Sequence, residues 1–251
     1  MIAADRLTRF SDRVADYVAT RPDYPSALLD HLAAVARLGP GCQVVDVGAG
    51  TGIFSRQLQG RGAVVVGVEP NADMRGACQG VDCRAGSAEA TGLPARSADL
   101  VTATQAFHWF EPAPFAAECR RLLAPGGSVA LVWNSRPDGV SALLDGYEAA
   151  LRAESLDYEV VRDRPAILQR LGVFFGALGL PVPARRVFGH HQDLDRAGLQ
   201  RRVLSSSYTP PAGHPGRQRL LATIDALFDA HQAAGQVRLD YETELWLAVV
   251  T

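Results

Sequence analysis

Apolar residues recur at two different spacings along this chain, and the spacing predicts where helices and strands lie. Between Ser26 and Gly39 the spacing is that of a helix, with apolar side chains at Leu28, Leu29, Leu32, Val35 and Leu38. We therefore predict a helix here, with Ser26 as its N-cap and Gly39 as its stop.

Five short runs follow that are almost wholly apolar and read as β-strands. They are Gln43–Val47, Ala63–Val68, Val81–Arg84, Asp99–Thr104 and Ser128–Trp133. Helix-compatible segments lie between them, at Ile53–Gln59, Ala72–Gln79 and Pro114–Leu123. Strands that alternate with helices predict a parallel sheet with right-handed crossovers. Because the runs hardly alternate with polar residues, both faces of the sheet are expected to be covered.

The pattern changes after Pro137. Residues 138–183 look like a helical insertion, which we interpret as a lid, and two further strand candidates follow at Arg185–His190 and Gln236–Val250. No crossover helix follows the second candidate, so it is free to enter the sheet antiparallel. The predicted fold is a doubly wound α/β domain: 1–137 form a cap and the ligand-binding half of the sheet, and 184–251 complete it.

The stretch "VVDVGAGTG" at 44–52 is the first candidate site, because a strand carrying Asp46 runs directly into Gly48, Gly50 and Gly52. In doubly wound sheets, ligands bind at the carboxyl ends of the strands, where the strand order reverses. A phosphate-binding P-loop requires a lysine, and there is none between Asp46 and Ser55. The third glycine of a dinucleotide fingerprint would fall at Ile53, which argues against that cofactor.

A carboxylate at the end of the second predicted strand, Glu69, favours a ligand that carries a ribose without phosphates at this position. It lies about twenty residues after the turn, where an acidic side chain can accept both hydroxyls of a ribose and would repel a 2′-phosphate. The alternative is a glycine turn that serves only a tight strand-to-helix corner, with Glu69 in solvent.

Six segments, in order, carry a resemblance to a known family. They are "YVATRPDYP" (17–25), "VVDVGAGTG" (44–52), "VVGVEPNADM" (65–74), "GSAEATGLP" (86–94), "SADLVTATQAFHWF" (97–110) and "LAPGGSVALVWN" (123–134). With them the chain resembles class I S-adenosylmethionine-dependent methyltransferases, in the small-molecule branch often called methyltransferase type 11. The match covers about the first 136 residues and is looser beyond Asn134.

The resemblance implies a Rossmann-like sheet of seven strands with an antiparallel last strand, and a cofactor site at the glycine turn. Glu69 would bind the ribose of S-adenosylmethionine, Asp46 would lie near its amino-acid end, and Arg21 could pair with its carboxylate. S-adenosylhomocysteine would be the product. Further cofactor contacts are implied for Gly48, Ala49, Gly50, Ser87, Ala88 and Glu89. Many relatives have Asp where this chain has Ser87, so the adenine contact differs here.

His108, in "QAFHWF", is the candidate catalytic base. It follows the fourth strand at the ligand-binding edge, and a histidine near neutral pKa suits deprotonation of a phenol, a carboxylic acid or an enolisable carbon. The alternative is that His108 packs on the cofactor or bonds to a loop while the neighbouring aromatic residues wall the pocket. Candidate substrate contacts are Tyr17, Tyr24, Trp109, Trp133 and Asn134.

Composition narrows the range of partners. A formal net charge of −2 gives no electrostatic reason to expect nucleic acid or anionic lipid. The arginine pairs at 120–121, 185–186 and 201–202 are interpreted as solvated surface. The N-terminal segment has charges where a signal peptide needs apolar residues, and "LGVFFGALGLPV" (171–182) is too short to span a bilayer. We favour core packing over a pocket-lining role for the latter, and expect a cytoplasmic monomer or homodimer.

The cysteines and paired histidines give no metal pattern. Cys42, Cys78, Cys83 and Cys119 contain no C-x-x-C spacing, so we expect reduced, partly buried thiols. No acidic pattern surrounds His190 and His191, and a structural role is favoured for both.

The predicted function is S-adenosylmethionine-dependent methyl transfer to a small, partly apolar molecule at an O, N or C atom. The main alternative keeps the fold but not the reaction, as a cyclase or pericyclic catalyst without methyl transfer. A non-catalytic cofactor-sensing module would leave the aromatic "AFHWF" segment without a use. A dehydrogenase is opposed by the glycine spacing and by the order of the six segments.

Overall fold

A computed structural model describes residues 20–156, 158 and 164–250. Its centre is a seven-stranded sheet in the order β3-β2-β1-β4-β5-β7-β6. The strands are β1 Gln43–Val47, β2 Val64–Val68, β3 Asp82–Arg84, β4 Ala98–Thr104, β5 Leu123–Ser135, β6 Arg186–Leu194 and β7 Val237–Val249. The predicted α/β sheet of seven strands is therefore confirmed.

Helices in the described part of the chain flank this sheet. They are α1 Ser26–Ala36, α2 Ile53–Gln59, α3 Ala72–Gly76, α4 Pro112–Leu122, α5 Ala142–Glu154, α6 Arg164–Ala177, α7 Arg196–Leu204 and α8 Pro215–His231. A single 3₁₀ turn, Phe107–Trp109, follows β4.

The strand directions place the expected ligand edge. β1 pairs in parallel with both β2 and β4, and β4 pairs in parallel with β5. β7 runs antiparallel to β5 on one side and to β6 on the other, as expected for the last strand. The strand order reverses between β1 and β4, so a crevice opens there at the carboxyl ends of the strands.

Both faces of the sheet are packed, which explains why its strands are apolar throughout. Val44 and Leu100 belong to a core shared with α1 and α2. Their neighbours Val45 and Val101 point to the opposite face, into a core shared with α4 and α6. The alternation of side chains along a strand thus requires apolar residues at successive positions.

Helix α6 carries most of the buried part of the apolar segment 171–182, whereas Val173 and Val182 are exposed. Leu171, Phe174 and Phe175 are fully buried in the core. The ring of Phe174 stacks on that of Phe115 from α4, with centroids 5.2 Å apart. Core packing is the role observed here, as favoured from the sequence. Whether the insertion 138–183 acts as a lid stays a prediction.

The first helix differs from its predicted boundaries. Pro25 is the N-cap, and the Ser26 side chain makes no capping bond, so Ser26 is the first helical residue. The helix ends at Ala36 because Arg37 adopts a left-handed conformation with φ 57°. Val35, expected on the buried face, is 46% exposed.

Other boundaries shift by a few residues. Helix α3 ends at Gly76, and α4 begins at Pro112, where a proline suits the first turn. β5 begins at Leu123 because Leu123 pairs with Ala98 across a bulge. Residues 124–127 lie in this bulge, and the predicted strand began only after them, at Ser128.

Two helices lie where only strands were predicted. In α8 the side chains of Leu220, Ile224 and Phe228, spaced by four, are buried. Their spacing and Pro215 in the first turn are helix signals that the prediction for 184–251 overlooked. Asp195 caps α7 by accepting a hydrogen bond from the Gly198 N–H at 2.6 Å.

The sequence also leads to expectations about membrane-spanning helices, disulfide bonds and metal-binding groups, and the described residues bear on all three. None of their helices combines the length and the apolar character that crossing a membrane requires. Three cysteines are buried free thiols and Cys83 is a half-buried one. No group of three or more histidine, cysteine or acidic side chains there is arranged to hold a metal ion. His190 packs against Tyr241, with ring centroids 6.2 Å apart, and burial and His191 lower its pKa.

Candidate functional site

Asp46 forms the floor of the crevice at the end of β1. Its side chain is 1% exposed and accepts hydrogen bonds from Ser55 Oγ at 2.6 Å and Thr102 Oγ1 at 2.7 Å. Burial raises the pKa of Asp46 to about 6, although both hydrogen bonds act in the opposite direction. Asp46 is thus a carboxyl group whose charge is costly unless a cation comes near it.

The glycine turn above Asp46 depends on glycine for packing as well as for conformation. Gly48, Gly50 and Gly52 all have left-handed backbones, with φ 70°, 57° and 78°. A Cβ on Gly48 would lie 2.5 Å from Ala106 Cβ, and one on Gly52 would lie 2.6 Å from Cys78 Sγ. The tight corner therefore explains two of the three glycines without any ligand.

Glu69, at the end of β2, is tied to this turn and is not in solvent. It is 8% exposed, and its Oε2 accepts a hydrogen bond from the Gly50 N–H at 2.9 Å. Oε1 accepts one from the Asn71 N–H, also at 2.9 Å. Burial raises the pKa of Glu69, while these two bonds lower it. Each oxygen keeps a second lone pair that can accept a ligand hydroxyl.

A small cavity of about 30 Å³ lies beside the turn, bounded by Asp46, Gly48 and Ala49. Two hydroxyl oxygens on its wall, Thr51 Oγ1 and Thr104 Oγ1, are buried and have no hydrogen-bond partner among the described residues. Buried polar atoms usually have partners, so these two mark a place where a polar ligand group fits.

A larger cavity of about 420 Å³ adjoins the small one, within the range of roughly 300–1,000 Å³ usual for small-molecule sites. Arg21, Gln105, Asn134 and Arg202 line both cavities, so one extended ligand or two ligands can meet between them. Five residues predicted for the site line the larger cavity: Arg21, His108, Trp109, Trp133 and Asn134. Tyr17, also predicted there, lies outside the described residues.

Comparison with known proteins identifies the family. A family model described as a methyltransferase domain matches residues 45–131. An uncharacterized methyltransferase of Mycobacterium bovis is 36% identical over 237 residues, which are 91% of this chain and 89% of the relative. The chain belongs to the methyltransferase family. The family assignment made from the six segments is confirmed.

Two further similarities accompany it. A methyltransferase-like protein of Schizosaccharomyces pombe is 38% identical over 139 residues, which are 53% of this chain. The chain thus spans about half (54%) of the length of that relative. A solved structure described as a type II methyltransferase from Anaeromyxobacter dehalogenans superposes with a TM-score of 0.67. It is 26% identical and covers 92% of this chain and 99% of its own.

The segment preceding α1 closes the small cavity of this methyltransferase. The ring of Tyr24 packs edge-on against Phe54, with centroids 5.0 Å apart, and its backbone N–H donates to Gln57 Oε1 at 3.0 Å. Arg21 Nη2 donates to the Ser205 carbonyl at 3.0 Å. Both predicted residues therefore lie at the site, held by contacts to α2 and to the end of α7.

The residues predicted near adenine lie after β3 and take part in local bonds. Ser87 Oγ accepts from the Ala90 N–H at 3.2 Å, and Glu89 Oε1 accepts from the Glu111 N–H at 2.8 Å. Ala88 is buried. None of the three lines either cavity, so their contact with adenine stays a prediction.

Trp133 has a double role in this methyltransferase. It is 7% exposed and meets Phe107 and Trp246 edge-on, with centroids 5.9 and 5.3 Å away, yet it also lines the larger cavity. His108 lies on the 3₁₀ turn beside Trp109, with ring centroids 4.7 Å apart. Its role as a base is untested by this geometry.

The interpretation of the arginine pair 201–202 as solvated surface is wrong for Arg202. Arg202 is 2% exposed, whereas Arg201 on the same helix is exposed. The difference follows from α7, whose buried face carries Leu199, Arg202 and Val203. Recognising that helix from Asp195 onward would have placed Arg202 inside the protein.

Proposed function

We propose that this protein binds S-adenosylmethionine at the glycine turn and transfers its methyl group to a small, partly apolar molecule. One observation carries the proposal: the small cavity bounded by Asp46, Gly48 and Ala49 shares Arg21, Gln105, Asn134 and Arg202 with a cavity of about 420 Å³. Glu69 lines neither cavity and is connected to the glycine turn by its bond from the Gly50 N–H. A crevice at a reversal of strand order is the usual ligand site of doubly wound sheets.

The residues present fit an adenosyl amino acid. Glu69 retains lone pairs for ribose hydroxyls, and no lysine or arginine occurs between Asp46 and Ser55 to hold phosphates. The partnerless oxygens of Thr51 and Thr104, together with Asp46, suit the ammonium group of an amino acid. Arg21 lines the same cavity and would pair with its carboxylate.

Entry of the cofactor requires movement. The small cavity of about 30 Å³ holds about two water molecules, far less than an amino acid. Arg21, Pro22 and Tyr24 bound it on one side. We therefore expect the segment before α1 to move outward on binding and to close again over the cofactor.

When bound, S-adenosylmethionine supplies a methyl group already activated by positive sulfur. The protein contributes orientation and exclusion of water, for which good geometry is worth roughly 7–11 kcal/mol. Trp109, Trp133 and Ile167 give the larger cavity apolar wall area for the body of an acceptor. His108, on the same wall, is placed to accept a proton from an acceptor that must lose one.

The proposal is tested by measuring S-adenosylhomocysteine formation from S-adenosylmethionine with a panel of small phenols, carboxylic acids and amines. At least one acceptor should give turnover in the wild type, and Glu69→Ala should turn it over more slowly when the cofactor is below saturation. Asp82→Ala is a matched control, since Asp82 lies on the neighbouring strand β3 and its side chain is 55% exposed. Cofactor binding without turnover on any acceptor would contradict methyl transfer and favour a rearrangement catalyst.

A further inference from the structure

Two buried arginines lie close together in the wall of the larger cavity. Arg136 follows β5 and Arg202 lies on α7, and both line that cavity. The side chain of Arg136 is 9% exposed and the whole of Arg202 is 2% exposed. Removing a guanidinium from water costs several kcal/mol unless an anion compensates it, so each of these arginines requires a counterion.

Arg136 has a counterion within the protein. Its guanidinium forms an ion pair with Glu148, which is 1% exposed. The Nη2 group also donates to the hydroxyls of Tyr158 and Tyr208, each at 3.2 Å. Glu148 additionally accepts a hydrogen bond from Tyr158. The carboxylate nearest the cluster is thus already engaged.

Arg202 has only neutral partners among the described residues. Its Nε donates to the Tyr241 hydroxyl at 2.9 Å, and its Nη1 lies 3.4 Å from the hydroxyls of Ser205 and Ser206. No carboxylate in the described part of the chain forms an ion pair with it, and its hydrogen bonds there are made by Nε and Nη1. Among the described residues, the buried cluster therefore holds two guanidinium groups and one carboxylate.

The other carboxylates of the cavity do not supply the missing charge. Glu244 pairs with Arg185 at 2.7 Å, and the Asp138 side chain is 73% exposed. Glu242 is partly exposed and makes no ion pair with Arg202. Tyr208 reports the excess positive charge: burial would raise the pKa of this phenol, but Arg136 and Arg202 bring it below its ordinary value.

We infer that Arg202 binds a carboxylate of the methyl acceptor, so that the substrate is a small carboxylic acid with an apolar body. The inference rests on the proposed function and deepens it. A guanidinium offers two parallel N–H donors, which match the two oxygens of a carboxylate. Trp109, Trp133 and Ile167 line the same cavity and can take the apolar part.

Arg202 lies where the two cavities adjoin, since it lines both of them. Of the residues from 186 to 250, Arg202 alone lines the small cavity beside the glycine turn, whereas Ser207, Tyr208, Glu242 and Glu244 line the larger one with it. Arg21 also lines both cavities and is the residue proposed to pair with the cofactor carboxylate. Arg202 therefore faces the place where the acceptor and the amino-acid end of the cofactor meet.

Calorimetric titration of matched acids and amides tests this inference. Benzoate, phenylacetate and hexanoate, each paired with its neutral amide, are titrated into protein saturated with S-adenosylhomocysteine. At least one acid should bind at least about tenfold more tightly than its amide, which corresponds to about 1.4 kcal/mol. Arg202→Met should lose that preference, Arg202→Lys should keep part of it, and Arg201→Met on the exposed face of α7 should keep all of it.

Three results would overturn the inference: no acid binds the wild type, amides bind as well as acids, or Arg202→Met retains the preference. If Arg202→Met instead weakens S-adenosylhomocysteine and leaves the acids unaffected, Arg202 serves the cofactor and the inference is wrong. Failure of S-adenosylhomocysteine to bind the wild type would contradict the proposed function. The same acids titrated into cofactor-free protein then decide the role of Arg202 separately.

Discussion

The carboxylate of Glu69 accepts a hydrogen bond from the backbone N–H of Gly50 at 2.9 Å, and this bond ties the end of β2 to the turn after β1. The side chain proposed to bind the ribose therefore also holds the glycine turn in place. Its second bond, from the Asn71 N–H, fixes the carboxylate at the start of α3. Substitutions of Glu69 should consequently affect both stability and binding, and the two effects can be separated.

Glu69→Ala should lower the free energy of unfolding, because the Gly50 and Asn71 N–H groups are left buried without acceptors. Each unsatisfied group costs about 1–3 kcal/mol. Glu69→Gln keeps one oxygen of similar shape and should lose about half as much. Urea unfolding of both variants measures this, and an unchanged unfolding free energy in Glu69→Ala would refute the tie between β2 and the turn.

Asp46 should make stability depend on pH in a definite direction. Its folded pKa of about 6 lies above its ordinary value of 3.8, so between these values the native state binds more protons than the unfolded state. The stability it contributes is present at low pH and is lost as pH rises from about 4 through 6. The loss is about 3 kcal/mol in total, of which about 2 kcal/mol falls between pH 4.5 and 7.5.

Asp46→Asn removes this titration and provides the measurement. The difference in unfolding free energy between Asp46→Asn and the wild type should move in favour of the variant by about 2 kcal/mol from pH 4.5 to 7.5. The comparison cancels the other titrating groups. A difference that is the same at both pH values would mean that Asp46 is not a destabilised buried carboxyl group.

Two glycines of the turn should respond differently to alanine. Gly48→Ala brings a Cβ to 2.5 Å from Ala106 Cβ, whereas Gly50→Ala brings one only to 3.3 Å from the flexible end of Met74. Both have positive φ, which costs about 1–2 kcal/mol for a residue with a Cβ. Overpacking should add about 1–3 kcal/mol at Gly48 alone. Equal losses in urea unfolding would show that packing against Ala106 is not what requires Gly48.

His108→Ala distinguishes a base from a cofactor contact. If His108 accepts the acceptor's proton, kcat should fall by about 10²–10⁴-fold while the Kd for S-adenosylhomocysteine stays within about twofold. His191→Ala, on the exposed edge strand β6, is the matched control and should change neither. Loss of cofactor affinity at unchanged kcat would assign His108 to the cofactor side.

The sequence predicted the positions of strands well where both faces of the strand are buried. The run 43–47 was predicted with its observed boundaries, because Val44 and Val45 pack on opposite faces and both must be apolar. The glycine turn and Glu69 were predicted as parts of one ligand site from their spacing along the sequence. The bond between Glu69 and Gly50 did not, since it depends on how β1 and β2 pair.

The arginine cluster could not be predicted from neighbouring residues. Arg202 resembles its exposed neighbour Arg201 in sequence, and only the packing of α7 buries one and not the other. Its partner Tyr241 lies on β7, and Arg136 lies beyond the end of β5. Polar and charged residues from three distant segments meet only in the folded protein.

Calorimetric titration of S-adenosylmethionine into the wild type, Glu69→Ala and Asp82→Ala tests the central claim most directly. We expect binding in roughly the micromolar range to the wild type and to Asp82→Ala, and a loss of at least about tenfold in Glu69→Ala. Wild-type protein that is folded but binds no S-adenosylmethionine would contradict that claim.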